Sequence, residues 1–164
     1  MRGEGVFEAV RAGIRGASSD EFRVVHFSVQ SDHVHLMVEA ADKRALALGA
    51  RGLAVRLARA INRALGRRGA VWGDRYHARA LRTPREVRHG LVYVIMNFRK
   101  HRPWDRSAID ACSSAWWFDR FRSPAPSTRE RSPVCRARTW LGAVGWRRHG
   151  LVGPREKPAS GPEA

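Results

Sequence analysis

Val25-His26-Phe27-Ser28-Val29-Gln30-Ser31-Asp32-His33-Val34-His35-Leu36-Met37-Val38-Glu39 reads as two strands around a tight turn. Val25, Phe27 and Val29 alternate with His26, Ser28 and Gln30, the period of two that a half-buried strand requires. Ser31-Asp32 supplies the turn. Beyond it Val34, Leu36 and Val38 fall on one face, while His33, His35, Met37 and Glu39 fall on the other, so both histidines point the same way.

On either side of this pair the period becomes helical. Upstream, Val6, Phe7, Val10 and Ile14 recur at helix spacing and stop at Gly16. Downstream, Leu46, Leu53, Leu57, Ile61 and Leu65 draw an apolar stripe that ends at Gly66. Arg56, Arg59, Arg63 and Arg67 follow the same spacing on a different side. A run of this kind is more often a solvated face, but here it belongs to a very basic chain.

Tyr76 to Leu81 reads as a further strand, and Thr83-Pro84-Arg85-Glu86 opens a third helix. Thr83 is a cap, Pro84 suits the first helical position, and Glu86 completes a capping box. Val87, Leu91, Val94 and Phe98 form the buried stripe. Tyr93 follows Leu91 by about 200° of rotation, which turns its ring away from that stripe, with His89 and Asn97 one turn to either side.

The order helix, strand, strand, helix, strand, helix predicts an α+β fold with an antiparallel sheet. One more strand at the beginning would make it ferredoxin-like, or RRM-like, and no such strand is legible. Residues 1–104 form the expected domain. Residues 105–164 read as a basic, Pro- and Trp-containing extension, with Ser123 to Pro133 a disordered connector and Trp140 to Leu151 a small aromatic and basic element.

The chain has 164 residues, with 31 Lys+Arg against 15 Asp+Glu and a net charge of +16. Such an excess attracts polyanions. Only Lys43, Lys100 and Lys157 are lysines, and an arginine bias suits bidentate phosphate contacts, although a GC-rich genome would produce it too. Cys112 and Cys135 are too far apart for a Cys-x-x-Cys motif and read as reduced thiols in a cytoplasmic protein. No apolar run approaches a membrane span.

Two imidazoles at alternate strand positions reach a single metal ion, and an opposing helix could add a further ligand. With seven histidines, a chance His-x-His has a likelihood of roughly a quarter, so paired surface histidines are a serious alternative. Glu39 shares that face and reads as a solvated strand-end charge. Tyr76 is the only rival tyrosine, and an aromatic beside Arg75 more often packs against a sheet edge.

Three stretches together resemble the HUH (His-hydrophobic-His) single-tyrosine transposases, especially their REP-associated branch. They are Phe27 to Val38, Trp72-Gly73-Asp74-Arg75-Tyr76, and Tyr93-Val94-Ile95-Met96-Asn97 with Arg99-Lys100-His101. The resemblance implies that His33, His35 and Asn97 bind a divalent metal, Mg2+ or Mn2+, and that Tyr93 is the nucleophile. The implied reaction cleaves and rejoins single-stranded DNA beside hairpins through a 5′-phosphotyrosine, moving a mobile element. Arg75, Arg99 and Lys100, with the arginines of the second helix, are the expected contacts to nucleic acid; a homodimer is a possible assembly.

Two departures stand out. Family members begin with a strand that is central in the sheet, so its absence points either to a start upstream of Met1 or to a decayed copy. Phe98 stands where many relatives have Pro, which lets the third helix run on through Asn97. The alternative function is a non-catalytic remnant that binds single-stranded nucleic acid through the arginine face and exposed aromatics such as Trp72 and Trp104.

Overall fold

The computed structural model describes residues 1–101, 105 and 107–158. Its centre is the antiparallel hairpin β1 (Phe22–Val29) and β2 (Val34–Ala40), with helices on both faces. The fold is α+β, as the sequence predicts.

The pairing contains one irregularity. Val24 lies opposite Val38 and His26 opposite Met37, so Val25 is the extra residue of a bulge. That extra residue resets the alternation. Phe22 and Val24 therefore share a core with Phe27 and Val29, a grouping that strict period-two reading from Val25 does not give.

On that face pack α1 (Glu4–Arg15) and α2 (Lys43–Ala64). Val10 and Ile14 of the first meet Leu53, Leu57 and Ile61 of the second, over Val34, Leu36 and Val38 of β2. The start of α2 is fixed by Asp42, whose side chain accepts from the Ala45 amide at 2.7 Å. At Gly49 the helix lies directly on Phe22, where an added Cβ would stand 2.7 Å from the phenylalanine Cβ.

The opposite face, carrying His33, His35 and Met37, is covered by α3 (Pro84–Ile95). Its first turn has the expected capping box: Thr83 accepts from the Glu86 amide, and Glu86 accepts from the Thr83 amide. At Gly90 the helix touches the ends of Leu81 and Met37. Contrary to expectation the helix stops at Ile95, and a separate turn, α4 (Phe98–His101), follows.

No strand forms at Tyr76 to Leu81. Among the described residues no strand precedes α1, so the sheet has two strands and not the four of a ferredoxin-like fold. A strand needs a ladder partner, and residues 70–82 make no backbone–backbone hydrogen bond.

Residues 107–158 fill what this short sheet leaves uncovered. Cys112 accepts from the Val29 amide at 2.8 Å, and the Cys135 amide donates to Val24 at 2.9 Å, closing the outer edge of β1. Ile109, Ala115, Phe118, Trp146 and Val152 join the α3 core. Within Ser123 to Pro133 the Trp117 indole donates to the Glu130 carbonyl and Arg15 donates to the Arg131 carbonyl. The expected aromatic element is present as α5 (Trp140–Ala143) and a 3-10 turn, Gly145–His149.

Candidate functional site

His33 stands just ahead of β2 and His35 within it, and the alternation of the strand aims both rings away from the α1–α2 core. The turn is tied by the Gln30 amide donating to the His33 carbonyl at 2.8 Å. His33 Nε2 and His35 Nε2 are 2.9 Å apart. On the other side of its ring, His33 Nδ1 lies 2.8 Å from Asp32 Oδ1. An accepting carboxylate there favours the Nδ1–H tautomer and leaves Nε2 with a lone pair.

Tyr93 arrives from α3, half-buried. Its ring is edge-on to His35, centroids 4.9 Å apart, and His35 is edge-on to His33 at 4.5 Å. Three aromatic rings thus form a continuous row from the hairpin turn to the helix. Tyr76, the rival, is 54% exposed and packs on no sheet edge, since no strand forms there. His89 is exposed.

The family of transposases described as IS200-like matches residues 6–88, from α1 through both histidines into the second turn of α3. The chain belongs to that family. No curated protein and no solved structure gives a match. As an IS200-like transposase it is a DNA-processing enzyme by family. Tyr93 and Asn97 lie just beyond the matched segment.

Asn97 of this IS200-like transposase does not lie on the polar line that a continuous helix would give it. With α3 ending at Ile95, Asn97 turns inward and is 0% exposed. Both its amide atoms are buried without a hydrogen-bond partner, so neither bonds a histidine. An unsatisfied buried amide costs about 1–3 kcal/mol, which suits a group held for a ligand.

The arginines divide. Arg56, Arg59 and Arg63 are exposed along the α1–α2 groove, on the far side of the sheet from the histidines. Arg67 follows the end of α2, and Arg75 and Lys100 are exposed. Arg99, expected on phosphate, donates instead to the carbonyls of Ser107, Ala108 and Pro154, and burial lowers its pKa. Trp72 is likewise tied down, its indole donating to Ala54 at 2.9 Å; Trp104 lies outside the described residues.

Two further roles escaped the sequence. Asp32 read only as a turn residue, although an acid beside His-x-His is the available signal. Glu39, expected in water, accepts from the Thr139 amide and hydroxyl and from the Arg138 amide. Beside the site, His26 packs edge-on to Phe118, with Nδ1 3.2 Å from Ser114 Oγ. Burial holds it neutral, its pKa pushed down to about 4.

The two imidazole nitrogens are spaced to reach one divalent ion. Two nitrogens held cis on an octahedral ion at about 2.1 Å are about 3.0 Å apart, close to the 2.9 Å between the imidazoles. Among the described residues no three His, Cys, Asp or Glu side chains are placed to hold one metal ion together. An amide oxygen, water or phosphate would complete such a set, and Asn97 has an Oδ1 without a hydrogen-bond partner.

Proposed function

We propose that this chain cleaves and rejoins single-stranded DNA through a covalent 5′-phosphotyrosine on Tyr93, with His33, His35 and Asn97 holding Mg2+ or Mn2+. The observation that carries it is the row of rings from His33 through His35 to Tyr93, assembled from two elements of a transposase fold.

When bound, the ion would withdraw charge from a non-bridging oxygen and stabilise the negative charge that builds on phosphorus. The chain's own residues do the rest. Asp32 orients His33, and the α3 capping box and the Gly90 contact hold Tyr93 over the histidine face. Tyr93 forms the new P–O bond as the bond to the 3′ oxygen breaks. Its phenol loses a proton and the departing 3′ oxygen gains one, so the step is proton-neutral. The ester keeps the energy of the broken bond, and a second 3′ end can attack it without ATP.

The test incubates purified protein with labelled, hairpin-flanked single strands and Mn2+, then runs a denaturing gel. A labelled protein band, lost in Tyr93→Phe and with chelator, is expected. Substrate bound but never attached would leave only a non-catalytic binder.

A further inference from the structure

The C-terminal element lies on the same layer as the proposed site and is bolted to the strand that carries the histidines. Glu39, four residues after His35 in β2, holds Thr139, and Thr139 caps α5 by accepting from the Gly142 amide at 3.1 Å. Four strand residues span about 13 Å. Trp146 anchors the following 3-10 turn in the α3 core, 2% exposed, with its indole donating to Gly142. This piece is therefore a rigid neighbour of the histidine–tyrosine row.

What it presents is an aromatic plane. Trp140 is 51% exposed. Gly145 meets the benzo edge of its ring, where a Cβ would come within 2.6 Å, and the Arg148 guanidinium lies 4.9 Å from its centroid. Residues three apart on a 3-10 turn eclipse one another. Gly145 and Arg148 thus both lie against the indole, about half of which stays open to solvent. Arg147, Arg148 and His149 make the last turn basic, and the Arg147 guanidinium donates to the Ala143 carbonyl.

We propose that Trp140 is a stacking subsite for one base of the DNA strand being processed, with Arg148 beside it for the adjoining phosphate. The subsite rests on the strand-cleaving function proposed above. A half-exposed indole with a guanidinium against it fits an unpaired base on a phosphate chain: every base has a π-face, and the backbone supplies the opposite charge. A paired base in a duplex has its faces covered, so the subsite selects single strands.

The test irradiates the full-length protein with a single-stranded oligonucleotide carrying 5-bromodeoxyuridine at successive positions beside a hairpin, and maps the crosslinked peptide by mass spectrometry. Crosslinking at Trp140 from a narrow window of positions is expected. In parallel, Trp140→Leu should weaken single-strand binding about tenfold, Trp140→Phe should recover most of that, and hairpin duplex binding should change by less than twofold. The phosphotyrosine on Tyr93 is scored in the same samples. An adduct on Tyr93 with no crosslink at Trp140 and unchanged binding by Trp140→Leu overturns the subsite and leaves the nickase standing. A Trp140 crosslink without any adduct overturns the nickase and leaves the subsite standing.

Discussion

The Tyr93 ring meets the His35 imidazole edge-on, with centroids 4.9 Å apart and planes at 74°. Helix α3 and strand β2 share no local sequence, so only the packed layer brings the two rings together. Phenylalanine would keep that contact and lose only the hydroxyl. Tyr93→Phe is expected to melt within about 2 °C of the parent while its covalent DNA adduct falls to background. A Tyr93→Phe protein that still forms the adduct would move the nucleophile elsewhere, with Tyr76 the first residue to examine.

Asp32 acts on His33 from the side away from His35. Removing the carboxylate frees the ring to turn and to change tautomer. Outer partners of this kind are worth about 10–100-fold in metal affinity, and the exposure of Asp32 places it at the lower end. Asp32→Ala should therefore weaken Mn2+ binding about tenfold in a titration followed by electron paramagnetic resonance. Asp32→Asn, which keeps an accepting oxygen, should recover part of it. Binding equal to the parent in both would remove Asp32 from the site.

His26 sets a pH limit on stability. Its folded pKa, pushed by burial from 6.5 to about 4, lies below its unfolded value. The unfolded chain therefore binds the proton first, and stability is lost as pH falls from 6.5 towards 4. The slope is roughly 1.4 kcal/mol per pH unit in that window, and flat above it. Urea unfolding at pH 7, 6 and 5 measures this, with His26→Asn as the control in which that slope disappears. A slope unchanged in His26→Asn would assign it to other groups.

How much of this was legible in the sequence follows from how far apart the partners lie. The hairpin, the shared histidine face and the α3 capping box depend on residues within a few positions, and period and cap chemistry specify them. The Val25 bulge inserts one residue into an alternation that otherwise fits either register. Asn97 turns inward because α3 ends before the stripe at Val94 and Phe98 would suggest. The carbonyl partners of Arg99 and the partners of Arg88 are not legible in the sequence. Arg88, buried, holds Glu156 through two hydrogen bonds and the carbonyls of Gly150 and Leu151, all more than sixty positions away. Burying a guanidinium makes sense only once such a partner is known.

Two glycines of α2 offer opposite outcomes from the same substitution. Alanine in place of a helical glycine gains about 1 kcal/mol of backbone propensity. At Gly52 a Cβ has nothing within 4 Å, so Gly52→Ala should stabilise by close to that amount. At Gly49 the Cβ would press on the base of the buried Phe22 side chain, which is fixed to β1 and cannot swing aside. Overpacking of this sort costs about 1–3 kcal/mol, which exceeds the gain. Gly49→Ala is therefore expected to lose up to about 2 kcal/mol in urea unfolding and to lower Tm by up to about 6 °C. Equal stabilisation by both substitutions would mean that α2 does not rest on Phe22.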